Sequence, residues 1–221
     1  MPLSGKGMLI TLMDADPQAE RDFNKWYDKE HIIERVSIPG FLEARRYVAV
    51  AAEPKYLNFY TTETLDSLRS PAYLKALQNP TAWTRHHMPK FRNFTRAVAR
   101  VAASRGRGRG GALAFSRMRP SGADKTELRN AVTAQLDAML DQVISAHLLE
   151  SDPELSKPAD APAPDIGSGD WYVVVEATDE PTLRQLADQR FGRRAKLPGA
   201  ELVSFGTYRL LWDLAKVELD R

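Results

Sequence analysis

Along the 221 residues of this chain one succession of short segments is legible twice: strand, helix, strand, strand, helix, strand. Gly7 to Met13 (GMLITLM) is an apolar run rich in branched residues, and Asp14-Ala15-Asp16-Pro17 interrupts it with residues that start helices. Gln18 to Val36 has helical spacing and stops before Ser37-Ile38-Pro39-Gly40, a turn signal. Phe41 to Val50 and Tyr56 to Thr62 read as the strands of a hairpin around Ala52-Glu53-Pro54. Thr64 to Gln78 is helical with a break at Ser70-Pro71, and Phe94 to Val101 is the closing strand. The second half repeats the order more loosely, with strands over Gly111 to Met118, Val143 to Leu149, Trp171 to Ala177 and Leu202 to Trp212, and helices over Asp124 to Asp141 and Pro181 to Gln189. This is the split βαβ motif duplicated. A four-stranded sheet with both helices on one side leaves its other face bare. Packing two such faces together, or closing them into a barrel, covers both.

The predicted organisation is therefore an α+β protein of two units. Residues 1–104 form the first unit and hold the pocket, 105–110 form a flexible Arg/Gly connector, and 111–221 form the second unit. The second unit carries a proline-rich insertion over 152–169 that reads as a mobile loop. At 43% hydrophobic and 27% charged residues the chain has enough apolar material for a core. Lys and Arg number 31 against 29 Asp and Glu, so no sustained positive field favours nucleic acid, and the single Arg-Gly run reads as a linker before it reads as an RNA-binding element. Without cysteine there is no disulfide framework, thiolate nucleophile, iron–sulfur cluster or zinc knuckle. His31, His86, His87 and His147 are the only histidines, so a metal would have to lean on carboxylates; none is expected. No apolar stretch reaches the length of a membrane span and the start lacks a leader's cleavage pattern, so a cytoplasmic protein is expected.

On a regular helical wheel Ala19, Phe23, Trp26, Tyr27 and Ile33 share one stripe, opposite Arg21, Lys25, Asp28 and Lys29. Glu30 falls inside that stripe. There desolvation would raise its pKa and suit it to general acid or base work; the alternative is a fray near residue 30 that leaves it solvated or paired with an arginine. His31 sits at the stripe's margin, as a proton shuttle or a packing residue. By strand alternation Glu43, Arg45 and Tyr47 share a face, as do Tyr56, Asn58 and Tyr60 on the next strand. If the aliphatic residues between them face the helices, this polar set lines a chamber between the sheets, where phenols and a guanidinium can hold an oxyanion; otherwise it is a solvent-facing sheet. In Trp83-Thr84-Arg85-His86-His87, adjacent histidines point different ways and do not share one ion, though one can reach the chamber, and Trp83 serves as ligand wall or plug. No nucleophile elbow, phosphate loop or dinucleotide fingerprint occurs.

The segments FNKWYDKEHIIERVSIPGFLEARRY, PKYLNFY and SPAYLKALQNPTAWTRHH make residues 7 to 101 resemble bacterial members of the dimeric α/β-barrel superfamily, ferredoxin-like chains with a W-Y-x-x-E-H signature before a Pro-Gly-Phe turn. This chain departs from many of them at Ile33, where they carry proline. The second half resembles the superfamily only in element order. The resemblance implies two ferredoxin-like units forming a pseudo-dimeric barrel, a cavity, and Glu30 with His31 at the motif positions. Relatives of this kind include muconolactone isomerase, polyketide cyclases, cofactor-free monooxygenases, EthD-like proteins and haem enzymes such as chlorite dismutase.

The expected function is cofactor-free acid/base chemistry by a lyase, isomerase or cyclase on a small aromatic or carbonyl compound. Glu30 or His31 would be the base, and Trp26, Tyr27, Arg45, Tyr47, Tyr56, Asn58, Tyr60, Trp83, His86 and His87 would line the substrate. The alternatives are a cofactor-free monooxygenase, a non-catalytic ligand-binding or stress-response protein, and a haem protein with His147 or a loop histidine as axial ligand. The expected partner is a small molecule, with neither nucleic acid nor membrane; pairing into a homodimer stays open.

Overall fold

Every apolar run that the sequence marks as a strand joins a single sheet. In the computed structural model, which describes residues 3–122, 124–157 and 169–219, the first half runs β1 (Gly7–Asp14), α1 (Glu20–Trp26), a π-helical turn (Tyr27–His31), α2 (Ile32–Ser37), β2 (Phe41–Ala51), β3 (Tyr56–Thr62), a 3-10 turn (Leu65–Arg69), α3 (Pro71–Gln78), α4 (Ala82–His87) and β4 (Arg92–Gly106). The second half runs β5 (Ala112–Pro120), α5 (Thr126–Asp137), β6 (Ser145–Ser151), α6 (Pro153–Ser156), β7 (Trp171–Ala177), α7 (Glu180–Phe191) and β8 (Ala200–Ala215). The break expected at Ser70-Pro71 is the start of α3, where Ser70 Oγ accepts the Tyr73 N–H and proline takes the first helical position. Of the expected insertion over 152–169, the start forms α6, capped by Asp152; residues 158–168 lie outside the described residues.

All eight strands pair antiparallel in a closed barrel of order β1-β3-β2-β8-β5-β7-β6-β4. The halves meet at two ladders, β2 with β8 and β4 with β6. Within the barrel β4-β1-β3-β2 and β8-β5-β7-β6 follow the same permutation. Closure leaves no unpaired strand edge.

The residues pack in three layers. Ile10, Leu57, Phe59, Phe115, Leu149 and Val174 fill the barrel. Leu9, Phe23, Trp26, Val36, Tyr60 and Val98 pack between the first half's strands and helices. Leu128, Val132, Leu136, Val173, Leu183 and Phe191 do the same in the second half.

The register corrects the expected polar face. Arg45 lies opposite Phe59 and Tyr47 opposite Leu57, whereas Arg46 lies opposite Asn58 and Ala44 opposite Tyr60. Directly opposed residues share a face. Arg45 and Tyr47 thus enter the barrel with Leu57 and Phe59, while Tyr56, Asn58 and Tyr60 turn toward the helices. Alternation along one strand orders its own residues, but only the pairing of two strands decides which of their faces coincide.

The barrel interior is consequently not an open chamber at this end. Arg45 Nη1 meets Glu176 Oε1 at 2.8 Å and its Nη2 meets Glu43 Oε1 at 2.8 Å, all three buried. Arg109 pairs with both Glu43 and Asp213, and the Gly110 N–H donates to Glu176 Oε2 at 2.9 Å. The connector expected to be flexible is tied down: β4 runs to Gly106, and Arg109 with Gly110 closes the charged end of the barrel. Removing one member of such a buried set strands the others. We expect Arg45→Met to lower unfolding free energy by about 3–5 kcal/mol in urea titrations; a loss near zero would show that Glu43 and Glu176 do not depend on it.

Candidate functional site

The π turn decides which side chains of the first helix face the sheet. Its cap is the Ile32 N–H donating to the Tyr27 carbonyl, one residue wider than an α turn. The extra residue rotates every later position by about 100° from a regular helix. Ile33, expected in the buried stripe, is 39% exposed, and Arg35 is 8% exposed. The turn forms with Ile33 at the position where many relatives have proline.

Glu30 is displaced by the same rotation. Its carboxylate accepts from Thr81 Oγ1 at 2.5 Å. Thr81 also caps α4 by accepting the Thr84 N–H at 3.0 Å, and Thr84 Oγ1 accepts from Trp26 Nε1 at 3.2 Å. Trp26 and Glu30 therefore staple the first helix to α4, and Glu30 is not part of the cavity wall.

Between these elements lies a cavity of about 110 Å³. The outward face of the sheet gives Thr11, Met13, Tyr60 and Arg96; the first helix gives Trp26, Tyr27, His31 and Arg35; and Tyr73, Thr84, Phe91 and Phe94 close it. Half-exposed Met88 and Phe94 stand at its rim, 53% and 38% accessible.

The wall is unusual in its unmet polar groups. Among the described residues eight buried side-chain atoms have no hydrogen-bond partner; His31 Nδ1 and Tyr60 Oη belong to this wall, and Asn58 Oδ1 and Arg46 Nε lie behind it, against Tyr27. Such atoms are rare in native proteins and call for a role. Tyr27 joins them, donating to Met13 Sδ at 3.4 Å and accepting from Asn58 Nδ2 at 3.4 Å. Behind it Arg46 lies 4.4 Å from the Tyr27 ring and binds Asp28 and Asn24 at 2.9 and 2.6 Å.

Burial, followed by the Arg35 and Arg46 charges, holds the His31 imidazole well below the usual histidine range. It is neutral at physiological pH. With Nδ1 sealed, Nε2 is the nitrogen that a ligand can reach. Burial also pushes the Tyr27 phenol up, and the Tyr60 phenol well up, so both keep their protons and can donate.

The other expected residues are spread around this cavity or away from it. Asn58 is buried behind Tyr27. Tyr56 turns aside, donating to Glu20 at 2.6 Å and accepting from Asn24 at 3.1 Å. His87 is buried against the Trp26 ring at 5.2 Å and lies 3.0 Å from Asp22, which also accepts from Trp83 Nε1 at 3.1 Å. His86 is exposed beside Lys90. Arg45 and Tyr47 are inside the barrel and do not reach the cavity. Arg35 was not among the expected residues; its position four after His31, hence on the same helix face, is the signal that points to it.

A larger open groove of about 780 Å³ runs along α7 and β8, past Arg184, Asp188 and Arg194. None of the unmet buried atoms belongs to its walls.

Three solved structures share this architecture. An anthrone oxidase-like protein superposes over 97% of this chain and 94% of its own with a TM-score of 0.67 at 13% identity. A proposed monooxygenase from Fusobacterium nucleatum subsp. nucleatum covers 96% of this chain and 95% of its own, with a TM-score of 0.57 at 8% identity. A proposed monooxygenase from Lactobacillus acidophilus gives 96% and 97%, 0.56 and 8%. The chain has the dimeric α+β-barrel fold. No protein-family model and no curated protein sequence matches it.

Within that fold haem does not fit on His147. His147 is fully buried inside the barrel with Nδ1 2.9 Å from Ser104 Oγ, and the outer layer of the second half is filled by Leu128, Val132, Leu183, Ala187 and Phe191. Among the described residues no group of three or more His, Asp or Glu is placed to hold a metal, and no helix is long and apolar enough to cross a membrane.

Burial, with the Arg45 charge, pulls His147 down to about 3. For both His31 and His147 the folded pKa is below the unfolded value of about 6.5, so the unfolded chain binds the extra protons. Their stabilisation is complete above pH 6.5 and is lost as pH falls toward the folded pKa. Urea midpoints are expected to drop steadily from pH 7 to 4, with His147 alone removing about 1.4 kcal/mol per pH unit. His147→Leu is expected to flatten that slope, and an unchanged slope would refute the assignment.

Proposed function

We propose that the cavity beside His31 is the active site of a small-molecule enzyme that removes a proton from an aromatic or carbonyl compound. The carrying observation is the pair of unmet His31 and Tyr60 side chains in the aromatic wall of that cavity. His31 Nε2 takes the proton. A lone imidazolium beside Arg35 and Arg46 is costly, so His31 becomes charged only as the substrate becomes an anion, which couples the two charges. Tyr60, protonated and without a partner, donates to the oxygen on which that negative charge accumulates, and Tyr27 joins it by exchanging its weak contact to Met13 Sδ for that oxygen.

Two fates of the anion fit this machinery. Reprotonation or bond loss makes the enzyme an isomerase, cyclase or lyase. Reaction with dioxygen makes it a cofactor-free monooxygenase: a substrate CH2 becomes a carbonyl, one oxygen atom stays, and the other leaves as water with both hydrogens. The names of the structural relatives, an anthrone oxidase-like protein and two proposed monooxygenases, favour the second fate. The shared permutation of β4-β1-β3-β2 and β8-β5-β7-β6 supports reading the halves, residues 1–104 and 111–221, as two ferredoxin-like units of which the first is the working one.

Single-ring polyphenols and 1,3-dicarbonyl compounds test this, followed by solvent deuterium exchange and oxygen uptake. Oxygen uptake with incorporation marks the monooxygenase, and exchange without uptake marks proton transfer alone. His31→Ala is expected to slow either readout about 10²–10⁴-fold, while Glu30→Gln, which can still accept from Thr81, keeps near-normal turnover. Full activity in His31→Ala would remove His31 from the mechanism, and ligand binding with neither readout would identify a carrier.

A further inference from the structure

Two arginines line the cavity without a carboxylate partner, Arg35 and Arg96, and of these Arg35 is the one whose guanidinium makes no hydrogen bond. It is buried, it lines the cavity, and among the described residues no carboxylate lies within ion-pair distance of it and its guanidinium makes no hydrogen bond. The other arginines here are engaged: Arg46 with Asp28 and Asn24, and Arg96 with the Leu155 carbonyl at 2.7 Å and the Tyr73 hydroxyl at 3.4 Å. Tyr60 Oη is likewise buried and unmet on the same wall. A buried guanidinium without an anion is costly, and a planar carboxylate relieves it with two parallel hydrogen bonds.

We infer that the cavity takes a compact aromatic acid, bound as its anion with the carboxylate on Arg35. This rests on reading the cavity as a ligand site and adds the class of compound to it. The ring follows from the walls, where Trp26, Tyr27, Tyr73 and Phe91 surround the space with flat apolar surface. The size follows from the volume: about 110 Å³ here, against roughly 150 Å³ in an engineered cavity that holds benzene. More than one ring is excluded, and a single ring with its carboxylate fits only as Met88 and Phe94 give way at the open rim. The charge follows from Arg35, whose guanidinium is free to take an anion while Arg96 is held by the Leu155 carbonyl and the Tyr73 hydroxyl; a carboxylic acid is ionised at neutral pH whereas a simple phenol is not.

Arg35, Tyr60 and His31 line one cavity, with the His31 and Tyr60 rings 6.3 Å apart, so a ligand held by its carboxylate on Arg35 shares that space with both. The acid group is then a handle, and the proton is taken elsewhere on the ring or its substituent.

Benzoate, benzamide and toluene test this by isothermal titration calorimetry at pH 7.5, because the first two have nearly the same shape and differ in charge. Benzoate is expected to bind about tenfold or more tightly than benzamide. Arg35→Met is expected to reduce benzoate to the level of benzamide while leaving toluene unchanged, and His31→Ala to leave the benzoate preference intact. Arg35→Met should unfold at no lower temperature than the wild type, since it removes an unpaired buried charge; a role for Arg35 in the fold alone would lower it. Arg35→Gln is the second variant should the methionine chain not fold. Equal affinity for benzoate and benzamide, or a benzoate preference that survives loss of Arg35, overturns the inference and leaves the cavity reading standing. Failure of all three compounds to bind overturns both.

Discussion

Closure of the hydrogen-bonded ladder is the constraint from which the rest of the structure follows. With β2 on β8 and β4 on β6 no strand edge remains, and each strand must send alternate side chains into the barrel or out to the helices. Polarity does not choose the side. Arg45 and Glu176 go inside because their neighbours Tyr47 and Val174 do, and once inside they satisfy one another, with Glu43 and Arg109 completing the set. Arg46 and Asn58 go outside by the same rule and pack behind Tyr27, which lines the cavity. Both polar clusters are thus consequences of register, one inside the barrel and one between the sheet and the first helix.

That dependence also separates what the sequence could reveal from what it could not. The bounds of β3 and β7 agree residue for residue with their apolar runs, and β1, β2, β5 and α7 agree to within two residues at either end, because turn residues punctuate them. The sequence placed a polar chamber between the two sheets of the barrel; the cavity lies within residues 1–104 but on the helix side of the sheet. The assignment of Arg45 and Tyr47 to the site failed because it needed the pairing of two strands, which no single strand encodes. The reading of Glu30 failed at the π turn. A helical wheel assumes 3.6 residues per turn throughout, and nothing in Tyr27-Asp28-Lys29-Glu30-His31 announces the extra residue.

The π turn gives the W-Y-x-x-E-H pattern a physical division of labour. In an unbroken α-helix residues 30 and 31 would keep the positions that the wheel assigns. The widened turn lets Trp26 and Glu30 reach the threonines of α4, which fixes the helix against the element that roofs the cavity, while His31 is left facing the space they enclose. A carboxylate bound to a threonine hydroxyl at a helix cap is a positioning group. The imidazole, packed against the Trp26 and Tyr27 rings with Nδ1 unbonded, is left facing the cavity.

The two halves then show why a shared topology does not give the same packing. Their sheets and helices follow the same order, yet the outer layer of the second half is closed by Leu128, Val132, Leu136, Leu183 and Phe191, aliphatic and aromatic groups that interdigitate without needing polar partners. The corresponding layer of the first half mixes rigid rings with hydroxyl, amide and guanidinium groups. Flat rings pack poorly around such groups, because filling the last space would bury their polar atoms against carbon at a cost of about 1–3 kcal/mol each. A cavity survives where closing it is more expensive than leaving it, and a ligand that supplies the missing partners gains that difference on binding.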